Sequence, residues 1–244
     1  MKIGNKIIHL DSVDSTSNYI ANLMKRNEVE NGTVILADDQ FDGRGQRGAE
    51  WSVDPGENLT FSFLLKNVNL SVSNQFFLTE LVSLSLVDLL QKNGLKAEVK
   101  WPNDIYLNGK KIAGVLIENQ LSHATIKSSI VGIGLNVNQE SFMGFSATSI
   151  KIATGQFRTI KDVLFSFIES FNRISEKFPS SHFNLIHEKY LSNLYLLNKV
   201  SSFSDKEGEF TGEIINVLES GQLVLRKENG NEIEYNLKEI EFLK

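Results

Sequence analysis

Gln40-Phe41-Asp42-Gly43-Arg44-Gly45-Gln46-Arg47-Gly48-Ala49-Glu50-Trp51 decides the fold, because two architectures compete for it. As a bare pattern, Gly43, Gly45 and Gly48 satisfy the G-x-G-x-x-G spacing of a dinucleotide-binding turn. That turn needs a strand before it and a helix opening at its last glycine, since the helix N-terminus carries the pyrophosphate. Thr33 to Ala37 supplies the strand, but no helix follows. Glu50 to Gly56 reads as loop, and Leu59 to Leu65 has β composition. The dinucleotide fold is therefore set aside. A glycine-rich surface loop with incidental arginines is the plain alternative. Three glycines interleaved with Arg44 and Arg47 also let backbone and guanidiniums close around a phosphate or carboxylate.

Upstream, Ile7 to Leu10 reads as a strand, and Asp14-Ser15-Thr16 offers N-cap chemistry for a helix with Tyr19, Ile20 and Leu23 on one face. The hydroxyls of Ser15 and Thr16 either cap that helix or point into a pocket. Downstream, Phe77, Leu78, Leu81, Val82, Leu86, Leu89 and Leu90 recur at helical spacing up to Gly94, the main core helix.

Lys100-Trp101-Pro102-Asn103-Asp104-Ile105-Tyr106-Leu107-Asn108-Gly109-Lys110-Lys111-Ile112-Ala113-Gly114 is the second informative stretch. Asn108-Gly109 between two β-rich runs signals a hairpin. A two-residue turn sets Leu107 opposite Lys110, Tyr106 opposite Lys111 and Asp104 opposite Ala113. Asp104 and Lys111 are then diagonal neighbours about 7 to 8 Å apart at the backbone. Such a pair is either a surface ion pair worth ~0 to 1 kcal/mol or two groups converging on one reacting centre. Asn103 beside it can orient a ligand, and Gly114 in an apolar strand allows close approach to the backbone. Ser129 to Asn138 repeats this pattern, with Gly132, Gly134 and Asn136; packing or bulge glycines are the simpler account there.

Thr159 to Phe178 reads as an amphipathic helix, followed after Pro179 by another around Phe183 to Leu194. From Val200 short strands alternate with turn signals at Gly208, Ser220-Gly221 and Asn229-Gly230, a small antiparallel barrel of roughly 45 residues.

The composition excludes several classes. With 244 residues and 41% hydrophobic content, the chain can bury one substantial core plus a small appended domain. Zero cysteines exclude disulfides, cysteine nucleophiles and thiolate zinc sites. His9, His123, His182 and His187 have no zinc-binding spacing. The net charge of −5 argues against coating nucleic acid or anionic membrane. No signal peptide is evident, and Phe76 to Leu90 is too short to span a bilayer, so a cytoplasmic home is expected. There is neither a Gly-x-Ser-x-Gly elbow nor a Walker pattern. What remains is chemistry in which cations hold phosphate and stabilise charge in transfer at phosphorus, and adenylation of a carboxylate fits it.

Asp14-Ser15-Thr16, Gly43-Arg44-Gly45-Gln46-Arg47-Gly48, Lys100-Trp101-Pro102-Asn103-Asp104, Lys111-Ile112-Ala113-Gly114 and Gly132-Ile133-Gly134-Leu135-Asn136, in this order, closely resemble biotin protein ligase, from about residue 8 through the C-terminal barrel. The resemblance implies an α/β (α+β) fold, a mixed β-sheet with flanking helices related to class II aminoacyl-tRNA synthetases. It implies a catalytic domain over residues 1–196 and an SH3-like C-terminal domain over 197–244. It implies a carbon–nitrogen bond-forming ligase that makes biotinyl-5′-adenylate from biotin and ATP with magnesium, then biotinylates a lysine of a biotin carboxyl carrier protein.

By the same resemblance, Ser15, Thr16, Ser17, Gln40, Arg44, Gly45, Gln46, Lys111 and Gly114 bind biotin. Arg47, Trp51, Asn103, Gly134 and Asn136 border ATP and the adenylate, and Lys111, Asp104 and Arg44 are catalytic. Lys111 is expected to stabilise charge at the α-phosphate, and Asp104 to assist magnesium, no metal being held by protein alone, or the incoming lysine. Three departures stand out: Ser17 where asparagine is common, Gln46 where a third arginine is common, and Ala49 where a further basic residue is common. They imply weaker retention of the adenylate. About ten residues before the first motif are too few for a helix-turn-helix domain, so no DNA partner is expected. A monomer or homodimer is expected. A lipoate or octanoate ligase or transferase of the same superfamily is the nearest rival, and a noncatalytic binding module the rival of another class.

Overall fold

The computed structural model describes residues 1–48, 50–178 and 183–243; the expectations on Ala49, Pro179 and His182 lie outside the described residues. Seven strands form one mixed sheet: β1 (Lys6–Val13), β2 (Thr33–Gln40), β3 (Leu59–Ser71), β4 (Ala97–Lys100), β5 (Asp104–Leu107), β6 (Lys110–Ser122) and β7 (Thr125–Leu135). Their spatial order is β1-β2-β3-β7-β6-β5-β4. Only β1 and β2 run parallel, and helix α1 (Thr16–Lys25) makes the crossover that a parallel pair requires.

The central strands are buried on both faces, so apolar residues fill consecutive positions rather than every second one. Phe61, Phe63 and Leu65 of β3 join the main cluster with α2 (Phe76–Lys92), α4 (Ile160–Lys177) and α5 (Phe183–Leu191). Phe61 meets Phe167 edge-on at 5.2 Å and Phe63 meets Phe171 at 5.1 Å, contacts worth ~0.5–1.5 kcal/mol each beyond burial. Leu64 points the other way and packs with Ile35, Ile130 and Ile20 beneath α1.

The hairpin departs from the expected register. Asn108 and Gly109 take φ of +51° and +74°, as a two-residue mirror-image turn needs, and Leu107 and Tyr106 face Lys110 and Lys111. Ile105 then faces Ala113 and Asp104 faces Gly114, which corrects the expectation of Asp104 opposite Ala113. One extra residue on β6 makes a bulge, which lets consecutive Ile112 and Ala113 both be fully buried. Helix α3 (Ile150–Thr154) was not read from sequence, although Ser149 and Gly155 bracket it as caps.

The C-terminal unit is a five-stranded antiparallel sheet of β8 (Val200–Asp205), β9 (Gly208–Val217), β10 (Leu223–Lys227), β11 (Glu232–Tyr235) and β12 (Glu241–Phe242), ordered β11-β10-β9-β8-β12. Its Phe203, Ile214, Val217 and Leu225 belong to the same continuous apolar cluster as the larger sheet. Trp101 Nε1 donates to the Gly221 carbonyl at 2.8 Å, tying the two units. His187 of α5 lies 2.6 Å from Glu80 of α2, and that carboxyl holds the imidazole above its ordinary value. Among the described residues no helix is long and apolar enough to cross a membrane.

Inside the C-terminal sheet, Tyr235 donates to Asp205 at 2.7 Å and Lys227 reaches it at 2.9 Å, and these two contacts hold its carboxyl down to about 2. The folded value lies below the unfolded 3.8, so this stabilisation is complete above that value and is lost as pH falls through about 2. Asp205→Asn should therefore lower stability to denaturant at pH 7, with the gap to wild type closing as pH falls between those two values. A gap of constant size across the range would contradict this.

Candidate active site

The site occupies the same face of the large sheet as α1, beside the part that α1 covers. Residues there follow the parity of Leu64 and Ile130: Thr60 and Ser62 on β3, Gly132 and Gly134 on β7, Gly114 and Leu116 on β6. Strand register places them in two rows across the sheet, Ser62-Gly132-Leu116 and Thr60-Gly134-Gly114, with Asp104 continuing the second. Glycines thus remove side chains from the middle of a buried sheet and leave a cavity of about 350 Å³.

Each glycine makes room for one group. A methyl on Gly132 would lie 2.8 Å from Ser17 Oγ, and one on Gly134 would lie 2.1 Å from the Trp51 indole. A methyl on Gly114 would press on Lys111 Nζ at 3.3 Å and Asp104 Oδ1 at 3.4 Å.

One wall is the N-terminus of α1. Ser15, the residue before the helix, makes no side-chain cap bond, which leaves its hydroxyl to the cavity. Gln40 at the end of β2 caps the helix instead, its Oε1 accepting from the Thr16 amide at 2.7 Å and the Thr16 hydroxyl at 2.9 Å. The Thr16 and Ser17 hydroxyls both meet Ser62 Oγ, at 2.7 and 2.9 Å. This buried hydroxyl network fixes three donor-acceptor groups and resists rearrangement.

The glycine-rich loop forms another wall. The Arg44 and Glu50 backbones pair in an isolated antiparallel β-bridge, and the Trp51 amide donates to the Gly43 carbonyl at 2.9 Å, closing the loop on itself. Arg44 Nη2 then meets Glu118 of β6 at 2.7 Å, and Lys111 meets Asp104 at 2.7 Å. Lys111 Nζ also stands 5.7 Å from the centre of the Trp51 ring. Trp51 Nε1 is buried and has no hydrogen-bond partner among the described residues. Partly exposed ion pairs of this kind contribute ~0 to 1 kcal/mol, so an incoming phosphate or carboxylate can displace them at little cost.

Of the residues named from sequence, Ser15, Thr16, Ser17, Gln40, Arg44, Gly45, Gln46, Trp51, Asn103, Asp104, Lys111, Gly114 and Gly134 all line this cavity. Asn136 does not: it is buried, its Nδ2 donating to the Thr148 carbonyl at 3.0 Å and its Oδ1 without a hydrogen-bond partner among the described residues. Arg47 sits in a one-turn 3-10 helix (Gln46–Gly48), and its side chain lies outside what is described. Sequence reasoning missed Thr60, Ser62 and Glu118. It also missed Leu237, Ile240 and Phe242, through which the C-terminal sheet closes the cavity. For Thr60, Ser62 and Glu118 the only sequence signal is strand parity, which has no meaning until strand partners are known, and Leu237 and Ile240 lie in the connection between β11 and β12 with no local signal. Glu50, Asp104 and Glu241 are the lining carboxylates, and among the described residues no three His, Asp or Glu side chains group as a metal site.

Residues 10–136 match the family described as Biotin/lipoate A/B protein ligase family. Biotin protein ligase from Aquifex aeolicus, solved in complex with biotin and ATP, superposes with a TM-score of 0.80 at 31% identity, covering 99% of this chain and 100% of that one. The Bifunctional ligase/repressor BirA of Bacillus spizizenii is 30% identical over 237 residues, 93% of this chain and 71% of that protein. The Biotin--[acetyl-CoA-carboxylase] ligase of Paracoccus denitrificans is 28% identical over 82% of this chain and 86% of its own length. A mixed sheet with a glycine-floored cavity, an arginine loop and a closing C-terminal sheet defines the class, and the chain belongs to the Biotin/lipoate A/B protein ligase family. Within that family its whole-length likeness is to the biotin protein ligases.

Gly134 carries the sharpest steric requirement of the floor. Gly134→Ala should expel the Trp51 indole, read as a red-shifted tryptophan emission, since the only other tryptophan, Trp101, is buried. An unchanged spectrum would show that Trp51 does not rest there.

Proposed function

We propose that the glycine-floored cavity is where biotin is adenylated and then passed to a lysine of a carrier protein. The observation that carries this reading is the convergence of Arg44 and Lys111 on a cavity floored by Gly114, Gly132 and Gly134, each cation held in a weak, displaceable ion pair. Biotin's ureido end would lie against the fixed hydroxyls of Ser15, Thr16 and Ser17 and the Gln40 carboxamide, with the Gly114 and Gly45 backbones alongside. Arg44 would leave Glu118 to hold the biotin carboxylate and later the adenylate phosphate. Trp51, Asn103 and Gly134 would border the nucleotide, Arg47 its phosphates.

In the first step a carboxylate oxygen attacks the α-phosphorus of ATP, forming the mixed anhydride and releasing pyrophosphate. Lys111 leaves Asp104 and places its ammonium where negative charge builds on the phosphoryl oxygens. Magnesium would be held chiefly by the triphosphate, as its preference for phosphate and water requires, and would supply charge neutralisation there, with Asp104 the side chain able to assist it. In the second step the acceptor lysine attacks the anhydride carbonyl, AMP departs, and Asp104 takes up the amine's proton. Leu237, Ile240 and Phe242 keep water from the anhydride, so the division at residues 196 and 197 separates the catalytic unit from the one that closes it.

Lys111→Ala should cut biotin-dependent pyrophosphate release by about 10²–10³-fold while biotin still raises the melting temperature. Full activity in that variant would remove Lys111 from the chemistry. Gln46 lines the cavity without a hydrogen-bond partner among the described residues. Gln46→Arg should slow dissociation of biotinyl-5′-adenylate, and an equal off-rate would show that the neutral side chain does not set retention.

A further inference from the structure

We propose that a second groove, opening off the cavity, seats the polypeptide loop that carries the acceptor lysine, and that the C-terminal sheet builds half of it. This rests on the adenylate-transfer reading above. The groove encloses about 260 Å³ and shares Gln46, Trp101, Pro102, Asn103, Val115 and Leu237 with the catalytic cavity. A segment lying in it would therefore abut the activated carbonyl. One wall is the start of α2, another is the outer part of β6, and the third is the turn between β9 and β10.

Two features define the occupant. None of the lining residues is charged, in a chain where 23% are Asp, Glu, Lys or Arg. A groove for the triphosphate would need lysine or arginine, and this one has neither. Six carboxamides take their place: Gln46, Gln75, Asn103, Asn119, Gln222 and Asn236. A carboxamide presents the donor and acceptor of a peptide group; Asn103, Asn119 and Asn236 spend donors on Val115, Gln75 and Glu239, which leaves Gln46, Gln75 and Gln222 to meet the backbone of an irregular or extended segment. Gln75 Oε1 accepts from Asn119 at 3.5 Å and Gln222 Oε1 accepts from Ser220 at 3.0 Å, which leaves both NH2 groups to donate to an incoming carbonyl.

The groove is also built in advance. The β9–β10 turn is pinned by Trp101 Nε1 on the Gly221 carbonyl, and a methyl on Gly221 would lie 2.6 Å from the Phe76 ring. Contact that close fixes the C-terminal sheet against α2, so little ordering is left to cost affinity when the acceptor docks.

Gln75→Glu and Gln222→Glu in the full chain test this, with three readouts: biotin-dependent ATP–pyrophosphate exchange, capture of the adenylate by hydroxylamine, and transfer to a biotin carboxyl carrier domain. Exchange and capture should stay at wild-type levels, while the KM for the carrier domain rises about fivefold or more in each variant. An unchanged carrier KM in both variants overturns the groove and leaves the adenylation reading standing. Lost exchange in folded variants also overturns it, because the groove would then serve the nucleotide. If either glutamate lowers the melting temperature, Gln75→Ala and Gln222→Ala replace it with the same expected direction. Absence of exchange in the wild type would instead sink the underlying reading.

Discussion

A buried sheet normally fills both faces with side chains, and here three glycines on adjacent strands decline to do so. Gly132, Gly134 and Gly114 lie in register on the α1 face, and their missing methyls admit Ser17, the Trp51 indole and the Lys111–Asp104 pair. Everything chemical in the molecule stands on that bare backbone. The opposite face carries Phe61, Phe63, Val131 and Ile133 into the main core, so the cavity floor is held rigid from behind by close packing.

Rigid and exchangeable parts are separated accordingly. The Thr16, Ser17 and Ser62 hydroxyls are buried and bonded to one another, with Gln40 Oε1 accepting from Thr16, so their positions are set before any ligand arrives. The cations are treated oppositely. Arg44 and Lys111 each rest on a carboxylate in a partly exposed ion pair, an arrangement that neutralises their charge at little cost to break. A fully buried pair would have been far harder to exchange.

The C-terminal sheet is more than an appendage. It shares the apolar cluster of the larger sheet, closes the cavity with Leu237, Ile240 and Phe242, and presents its β9–β10 turn beside the entrance. Trp101, at the tip of the β4–β5 connection, serves both sides: its ring lines the cavity and its N–H fixes the turn. Such sharing explains why the motif containing Trp101 sits where one unit meets the other.

Local chemistry was legible in the chain as written. Asn108-Gly109 specified a hairpin because both residues tolerate positive φ, and the missing helix after Gly48 ruled out a dinucleotide fold. The apolar spacing from Phe77 to Leu90 marked the central helix for the same kind of reason, that side-chain period depends only on local backbone geometry. What depended on partners distant in sequence was not legible. The β6 bulge moved Asp104 from Ala113 to Gly114, the helix cap came from Gln40 rather than from Ser15, and Glu118 met Arg44 from 74 residues away. Asn136 bonds the Thr148 carbonyl and does not line the cavity. Residue types and local periods determined which groups the protein could use. Only the pairing of strands, a long-range property with no signature in any one segment, decided which of those groups stand together over the bare glycines.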